Sequence, residues 1–251
     1  MPKVSVITPA YNSSLFIEDT IKSVQAQTFE DWELIIVDDC STDKTYDLAK
    51  SYALLDNRII VLQNCKNSGV ASSRNKALDY AKGNFIAFLD SDDLWLPDKL
   101  EKQIEFMEKN NYVLTYTDYQ EFDSKTKKVF KNVIKAPDIM TAKKIYGNTA
   151  IGCLTVMVNK SLSGDFHMPN LSHMEDNITW QNILSKGYKA YRLNKVLSLY
   201  RTNNNCSLTV GKKKSAKAQW EIYRKYYGFP VCKSLFYFIC YSCNAVIKHY
   251  F

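Results

Sequence analysis

The chain has 251 residues, 46% hydrophobic and 24% charged, the proportions of a globular protein large enough to bury a core without disulfide or metal staples. Collagen-like, disordered and low-complexity classes are excluded. The net charge of +7 is uneven: residues 201–251 hold 9 basic and 1 acidic side chain, so residues 1–200 hold the remaining 24 basic and 25 acidic, which argues against a nucleic-acid-binding body and for a basic tail meeting an acidic partner surface.

Met1 leads directly into a strand-like segment, so no secretory leader is expected. The odd count of seven cysteines predicts reduced thiols in the cytoplasm. Cys240 and Cys243 have CxxC spacing without a second pair and read as apolar filling. Residues 4–8 are a short β-branched run ending at Pro9, a buried strand. Ile17, Ile21 and Val24 recur at helical spacing. Residues 34–37 form a second apolar strand ending at Asp38 and Asp39, and Ser41 is placed to cap a helix through about Tyr52. Residues 59–62 are a third strand. Gly69 opens a helix carrying Ala71, Ala77, Leu78 and Ala81. Residues 85–89 are a fourth strand ending at Asp90. Pro97 suits the first turn of a helix running to about Asn110, and residues 113–117 are a fifth strand. This alternation predicts an α/β fold, with a Rossmann-like, mostly parallel sheet flanked by helices. Beyond Tyr119 the pattern weakens to a turn at 125–128, strands at 154–158 and 197–200, and a helix at 178–184 with Glu175 and Asp176 at its start. A helical tail follows from Lys212.

Ligands of such sheets sit outside the carboxyl ends of the strands. Pro9, Ala10, Tyr11 and Asn12, the pair Asp38 and Asp39, and Asp90, Ser91, Asp92 and Asp93 are therefore expected to face one crevice. In an extended chain Asp90 and Asp92 point the same way, and two hard oxygen ligands there suit Mg2+ or Mn2+ with a phosphate completing the shell. An acidic loop ahead of the helix at Pro97 accounts for the same residues equally well. Arg74, in the first turns after Gly69, can meet a diphosphate or extend as a solvated helix arginine. Tyr11 can stack on a base or pack in its loop. Asp39 can accept a hydrogen bond from a nucleobase ring N–H, with Asp38 at the ribose or supporting the fold, or both can serve turn chemistry.

The runs PAYN at 9–12, VDDCSTD at 37–43, NSGVASSR from Asn67 to Arg74 and FLDSDDLW at 88–95 together resemble family 2 glycosyltransferases with a GT-A fold. The resemblance is specific over residues 2–120 and looser over 121–205. It implies an inverting enzyme using a nucleotide-activated sugar. By the same resemblance Tyr11 and Asp39 hold uracil, Asn67 and Arg74 approach the donor, and Asp90 and Asp92 form the metal-binding DxD motif. It also makes Asp176 of the HMEDN run the general base and Glu175 its neighbour, although acids in a first helical turn are also simply stabilised by the helix dipole. Many relatives carry histidine where this chain has Asn203. An amide is a poorer metal ligand, so two carboxylates, phosphates and water would hold Mn2+ or Mg2+ here, and Arg201 is a candidate phosphate contact. His167, His173 and His249 show no ligand spacing.

The organisation implied is a catalytic domain over 1–205, its halves meeting at 118/119, and a basic amphipathic tail over 206–251. Phe236, Ile239, Cys243, Ile247 and Tyr250 share one helical face, with Lys233, Asn244 and Lys248 expected to face water. The longest unbroken apolar run, residues 235–241, is too short to span a bilayer. The tail is thus expected to lie on a membrane surface, with docking on the body or a homo-oligomer interface as alternatives. The function expected is metal-dependent inverting transfer from a nucleotide-sugar, a UDP-sugar, to a glycan or lipid-linked acceptor. It would operate at the inner face of the cell membrane, in bacterial surface polysaccharide synthesis. Two rivals are a non-catalytic nucleotide-sugar-binding module and a sugar-nucleotidyltransferase. The latter needs a glycine-rich phosphate loop that residues 9–15 lack.

Overall fold

The computed structural model describes residues 1–171, 173–202 and 212–250, apart from the side chains of 212–214 and 246–250. Asn203, Cys206, and the side chains of Ile247, Lys248, His249 and Tyr250 lie outside the described residues. The elements in order are β1 (Val4–Ala10), α1 (Ile17–Gln25), β2 (Trp32–Asp38), α2 (Thr45–Leu55), β3 (Ile59–Gln63), α3 (Val70–Tyr80), β4 (Phe85–Phe88), β5 (Leu94–Trp95), α4 (Lys99–Asn110), β6 (Leu114–Asp123), β7 (Val129–Ile134), β8 (Ile139–Met140), β9 (Met157–Asn159), α5 (Lys160–Ser163), α6 (Glu175–Leu184), β10 (Ala190–Thr202), α7 (Lys212–Glu221) and α8 (Val231–Tyr250).

One sheet runs β3-β2-β1-β4-β9-β6-β10-β5, with β7 on β6 and β8 on β10. The first four strands are parallel. β9 is antiparallel to both β4 and β6, so β6 and its parallel partner β10 run in the direction of β1. The six strands sharing that direction bring their carboxyl ends to one rim. Every residue of β1 and β2 is buried, and period-two alternation feeds two cores. Ile7, Ile35, Val37, Ile86 and Phe88 enter one; Val4, Val6, Leu34, Ile36 and Ala87 enter the other. Such double burial is possible only because helices cover both faces. The sheet also crosses the 118/119 boundary unbroken, so the two halves share one scaffold.

Three local expectations change. Ser41 is not a helix cap: its Oγ accepts from Asn12 N at 2.9 Å. α2 starts later, where the Asp43 carboxylate accepts from Thr45 N at 2.9 Å; a carboxylate there also suits the positive helix end. The strand expected at 154–158 is a 3-10 turn over Cys153–Thr155 followed by β9. Asn244, expected in water, donates from Nδ2 to Gly147 O at 2.8 Å.

That bond belongs to a dock between the tail and the body. A Cβ on Gly147 would lie 2.6 Å from Cys240 Cβ, so only glycine admits α8 this closely. The Tyr146 ring packs edge-on against Tyr227 and Phe229 and tilted against Tyr237. The outer face keeps Phe236 61% and Ile239 55% exposed. The six described cysteines are free.

Candidate active site

The three polar clusters converge at the rim. Asp39 N donates to Ala10 O at 2.8 Å, joining the ends of β2 and β1. The Ser13 and Ser91 hydroxyls meet at 2.7 Å, joining the first loop to the acidic turn after β4. Pro9 and Ala10 are buried in β1. Tyr11 follows at 45% exposure, open for stacking. Asn12 adopts φ 48°, and its Oδ1 accepts from Thr42 N at 2.9 Å, so its side chain ties two loops together. Asn67 is exposed.

Asp38 and Asp39 are held by amides. Asp39 Oδ1 accepts from Asn64 Nδ2 at 2.7 Å and Ser68 N at 2.9 Å, and Oδ2 accepts from Gly69 N at 2.8 Å. Its carboxylate therefore fastens the loop that opens α3. This is a different use from the base contact expected of it, for which Oδ2 keeps one acceptor position. Asp38 Oδ2 accepts from Ser41 N at 3.1 Å and Gln63 Nε2 at 3.0 Å, while Oδ1 is buried without a partner.

The acidic cluster after β4 is not extended. Asp93 N donates to Asp90 O at 3.1 Å, closing a turn, so strand alternation is not what aims Asp90 and Asp92. Asp93, expected to face the crevice with its neighbours, is instead almost fully buried. Burial first, then Asp92 and Asp90, push its carboxyl well above the usual range. Arg201 also departs from expectation. It is 1% exposed, its guanidinium sits 4.7 and 4.6 Å from the Phe16 and Phe122 ring centroids, and its Nε donates to Asp92 O. Its own N donates to Asp93 Oδ1 at 2.8 Å, and Nη2 reaches Asp19 Oδ2 at 3.3 Å. Buried between rings, Arg201 fixes the acidic turn instead of reaching a phosphate. The DD pair was visible in the sequence; Asp19, on α1, left no signal there.

Arg74 links the two sides of the crevice. It is 4% exposed; Nη2 donates to Asp90 Oδ1 at 2.6 Å and Nη1 to Glu175 Oε1 at 2.8 Å. Burial works against that charge, and Asp90 first, with Glu175 and Asp176 behind, outweighs it. The clamp carries the positive charge expected near the donor, already paired with two carboxylates. Glu175 and Asp176 open α6, as the sequence suggests. Asp176 is half-buried; burial and then Glu175 push its pKa up to about 6, the range of a usable general base.

A divalent cation fits this rim. Asp90 and Asp92 offer hard oxygens of the kind such cations take, and Asp90 keeps 33% of its side chain exposed. Among the described residues no three His, Cys, Asp or Glu side chains form a cage. The two carboxylates would thus fill part of a shell.

The family model for glycosyl transferase family 2 matches residues 5–162. The chain is 45% identical over 98% of its length to TuaG of Bacillus subtilis (strain 168), a glycosyltransferase assigned to teichuronic acid biosynthesis, covering 97% of that protein. It is 38% identical over 99% of its length to the Escherichia coli UDP-Glc:alpha-D-GlcNAc-diphosphoundecaprenol beta-1,3-glucosyltransferase WfgD, covering 95% of it. Among solved structures, S. aureus TarS 1-349 in complex with UDP-GlcNAc superposes with a TM-score of 0.67 at 26% identity, over 88% of this chain and 64% of that one. The mannosyltransferase PcManGT from Pyrobaculum calidifontis, in complex with GDP-Man and Mn2+, superposes at TM-score 0.71 and 18% identity, over 98% of this chain and 73% of that one, a likeness of fold.

Proposed function

We propose, since this chain belongs to glycosyl transferase family 2 and is a glycosyltransferase, that it moves a hexose from a UDP-sugar to a hydroxyl of a lipid-linked glycan, with inversion, in bacterial surface polysaccharide synthesis. The names of WfgD and TarS's ligand support the UDP donor, and that of WfgD supports a diphosphate-linked lipid acceptor. The observation that carries the mechanism is the ion chain Asp90–Arg74–Glu175. It joins the rim of β4 to the helix start that holds Asp176.

Tyr11 offers its face to the base, and the loop fastened by Asp39 borders it. Asp90 and Asp92 would hold Mn2+ or Mg2+, which when bound supplies positive charge to the departing diphosphate. Arg74 pairs with Glu175 and draws the Asp176 pKa down, against burial and the Glu175 charge that raise it. Asp176 takes the acceptor proton, a contribution of typically 10²–10⁴-fold. A single displacement by that hydroxyl inverts the anomeric carbon. The matches to named glycosyltransferases favour transfer over a bare binding module or a sugar-nucleotidyltransferase.

No helix among the described residues is long and apolar enough to cross a membrane. The exposed Phe236 and Ile239, with Lys233 and the basic excess of the tail, support attachment to the inner leaflet through α8. Incubation with UDP-glucose, Mn2+ and a prenyl-diphosphate-linked N-acetylglucosamine should yield a β-linked product by NMR and none after chelation. An α-linked product overturns inversion, and full activity in EDTA overturns metal dependence. Phe236→Glu with Ile239→Glu should release the protein from anionic vesicles; unchanged sedimentation overturns the attachment.

A further inference from the structure

A second cleft, of about 170 Å³, opens beside the base helix, between the loop ahead of α6 and the tail. Leu171 and His173 line one wall; Glu221, Ile222, Lys225 and Tyr226 line the other. His173 lies two residues ahead of Glu175. The tail wall is not a continuous α-helix. Ile222–Tyr226 form a π-turn, with Tyr227 N donating to Ile222 O at 3.0 Å. The wider turn re-aims the side chains that follow, a device frequent at functional sites.

The wall is anchored to the catalytic helix. Ile222 and Tyr223 are buried, the Tyr223 hydroxyl donates to Tyr146 O, and Gln181 Nε2 of α6 donates to the Tyr146 hydroxyl at 2.7 Å. Lys225 Nζ stands 3.4 Å from Glu221 Oε2, and Tyr226 remains 44% exposed. The lining thus combines an aromatic face, a carboxylate, an ammonium and an imidazole. An apolar ligand would leave those polar groups unused, and a diphosphate would meet Glu221. A sugar ring uses all of them, through C–H faces on an aromatic platform and hydroxyls that both donate and accept. The volume suits one monosaccharide. Another cavity, about 300 Å³ among Asp79, Lys160 and His167, is lined, among the described residues, from α3, α5 and the loop after α5, and not from α6.

We infer that this cleft binds one pyranose of the acceptor glycan, with its ring on Tyr226 and its hydroxyls held by His173, Glu221 and Lys225. The inference rests on the transfer reaction proposed above. The test uses isoleucine-methyl-labelled enzyme titrated with a short prenyl diphosphate carrying N-acetylglucosamine, alongside kinetics of Tyr226→Ala. The Ile222 methyl signal should shift with this probe and stay in place with UDP. Tyr226→Ala should raise the acceptor KM tenfold or more with the donor KM within twofold, and Tyr226→Phe, which keeps the ring, should recover the acceptor KM. An Ile222 shift without transfer overturns the reaction and keeps the cleft. Transfer with no Ile222 shift and a wild-type acceptor KM in Tyr226→Ala overturns the cleft.

Discussion

Two acidic turns end strands on either side of β1, and their surroundings make opposite use of them. After β2, Asp38 and Asp39 receive N–H groups from Ser41, Gln63, Asn64, Ser68 and Gly69. Amides satisfy a carboxylate without adding charge, so these acids act as fasteners of the loops at the rim. After β4, Asp90, Asp92 and Asp93 crowd one another, and their cationic neighbours are Arg74 and Arg201. Charges, and not amide dipoles alone, therefore shape this turn, where the proposed cation and diphosphate would sit. Identical side chains at equivalent strand ends are thus held by dipoles in one turn and by charges in the other.

The contrast breaks most sharply at Asp92. Asp92→Ala should lower transfer by about 10³-fold or more while circular dichroism and melting stay close to wild type, because Arg201 Nε donates to the backbone oxygen of Asp92, which alanine keeps. Substantial turnover in that variant would place the cation elsewhere.

Asp176→Asn should cost at least about 10²-fold in kcat, and the wild-type kcat/KM should fall as pH drops through about 6. Stability should move the other way. The folded state holds the Asp176 proton more tightly than the unfolded chain, so this group favours folding below pH about 4, and that contribution is lost as pH rises through about 6. At pH 7.5 Asp176→Asn should therefore be more stable than wild type by about 1–2 kcal/mol, after discounting for partial exposure. The advantage should vanish below pH about 4, as measured by urea denaturation across pH.

The two turns then separate in stability. Arg201→Met should cost about 3–5 kcal/mol by leaving Asp92 O without its donor and removing the cation from between the Phe16 and Phe122 rings, while residue 201 N keeps its bond to Asp93 Oδ1. Asp39→Asn should cost about 1–3 kcal/mol, since its amide NH2 would face either the Gly69 N donor or those of Asn64 and Ser68, with a raised donor KM. Equal losses for both variants in denaturant titrations would erase the distinction between a charge-held and an amide-held turn.

The sequence by itself determined the parallel half of the sheet and the meeting of three polar clusters. β-branched runs, helical spacing and strand-end acids are local patterns that any α/β packing must read in one way. It also placed Glu175 and Asp176 at a helix start, through residue types that suit a helix dipole. Tertiary structure decided what lies between distant segments. β9 enters the sheet antiparallel between β4 and β6. Arg74 is spent on Asp90 and Glu175, Arg201 disappears between Phe16 and Phe122, and α8 seats on Gly147. None of these pairs is close in sequence. A charge or a ring has no periodicity that names its partner, so only the folded chain, by desolvating each group, fixes which one it must meet.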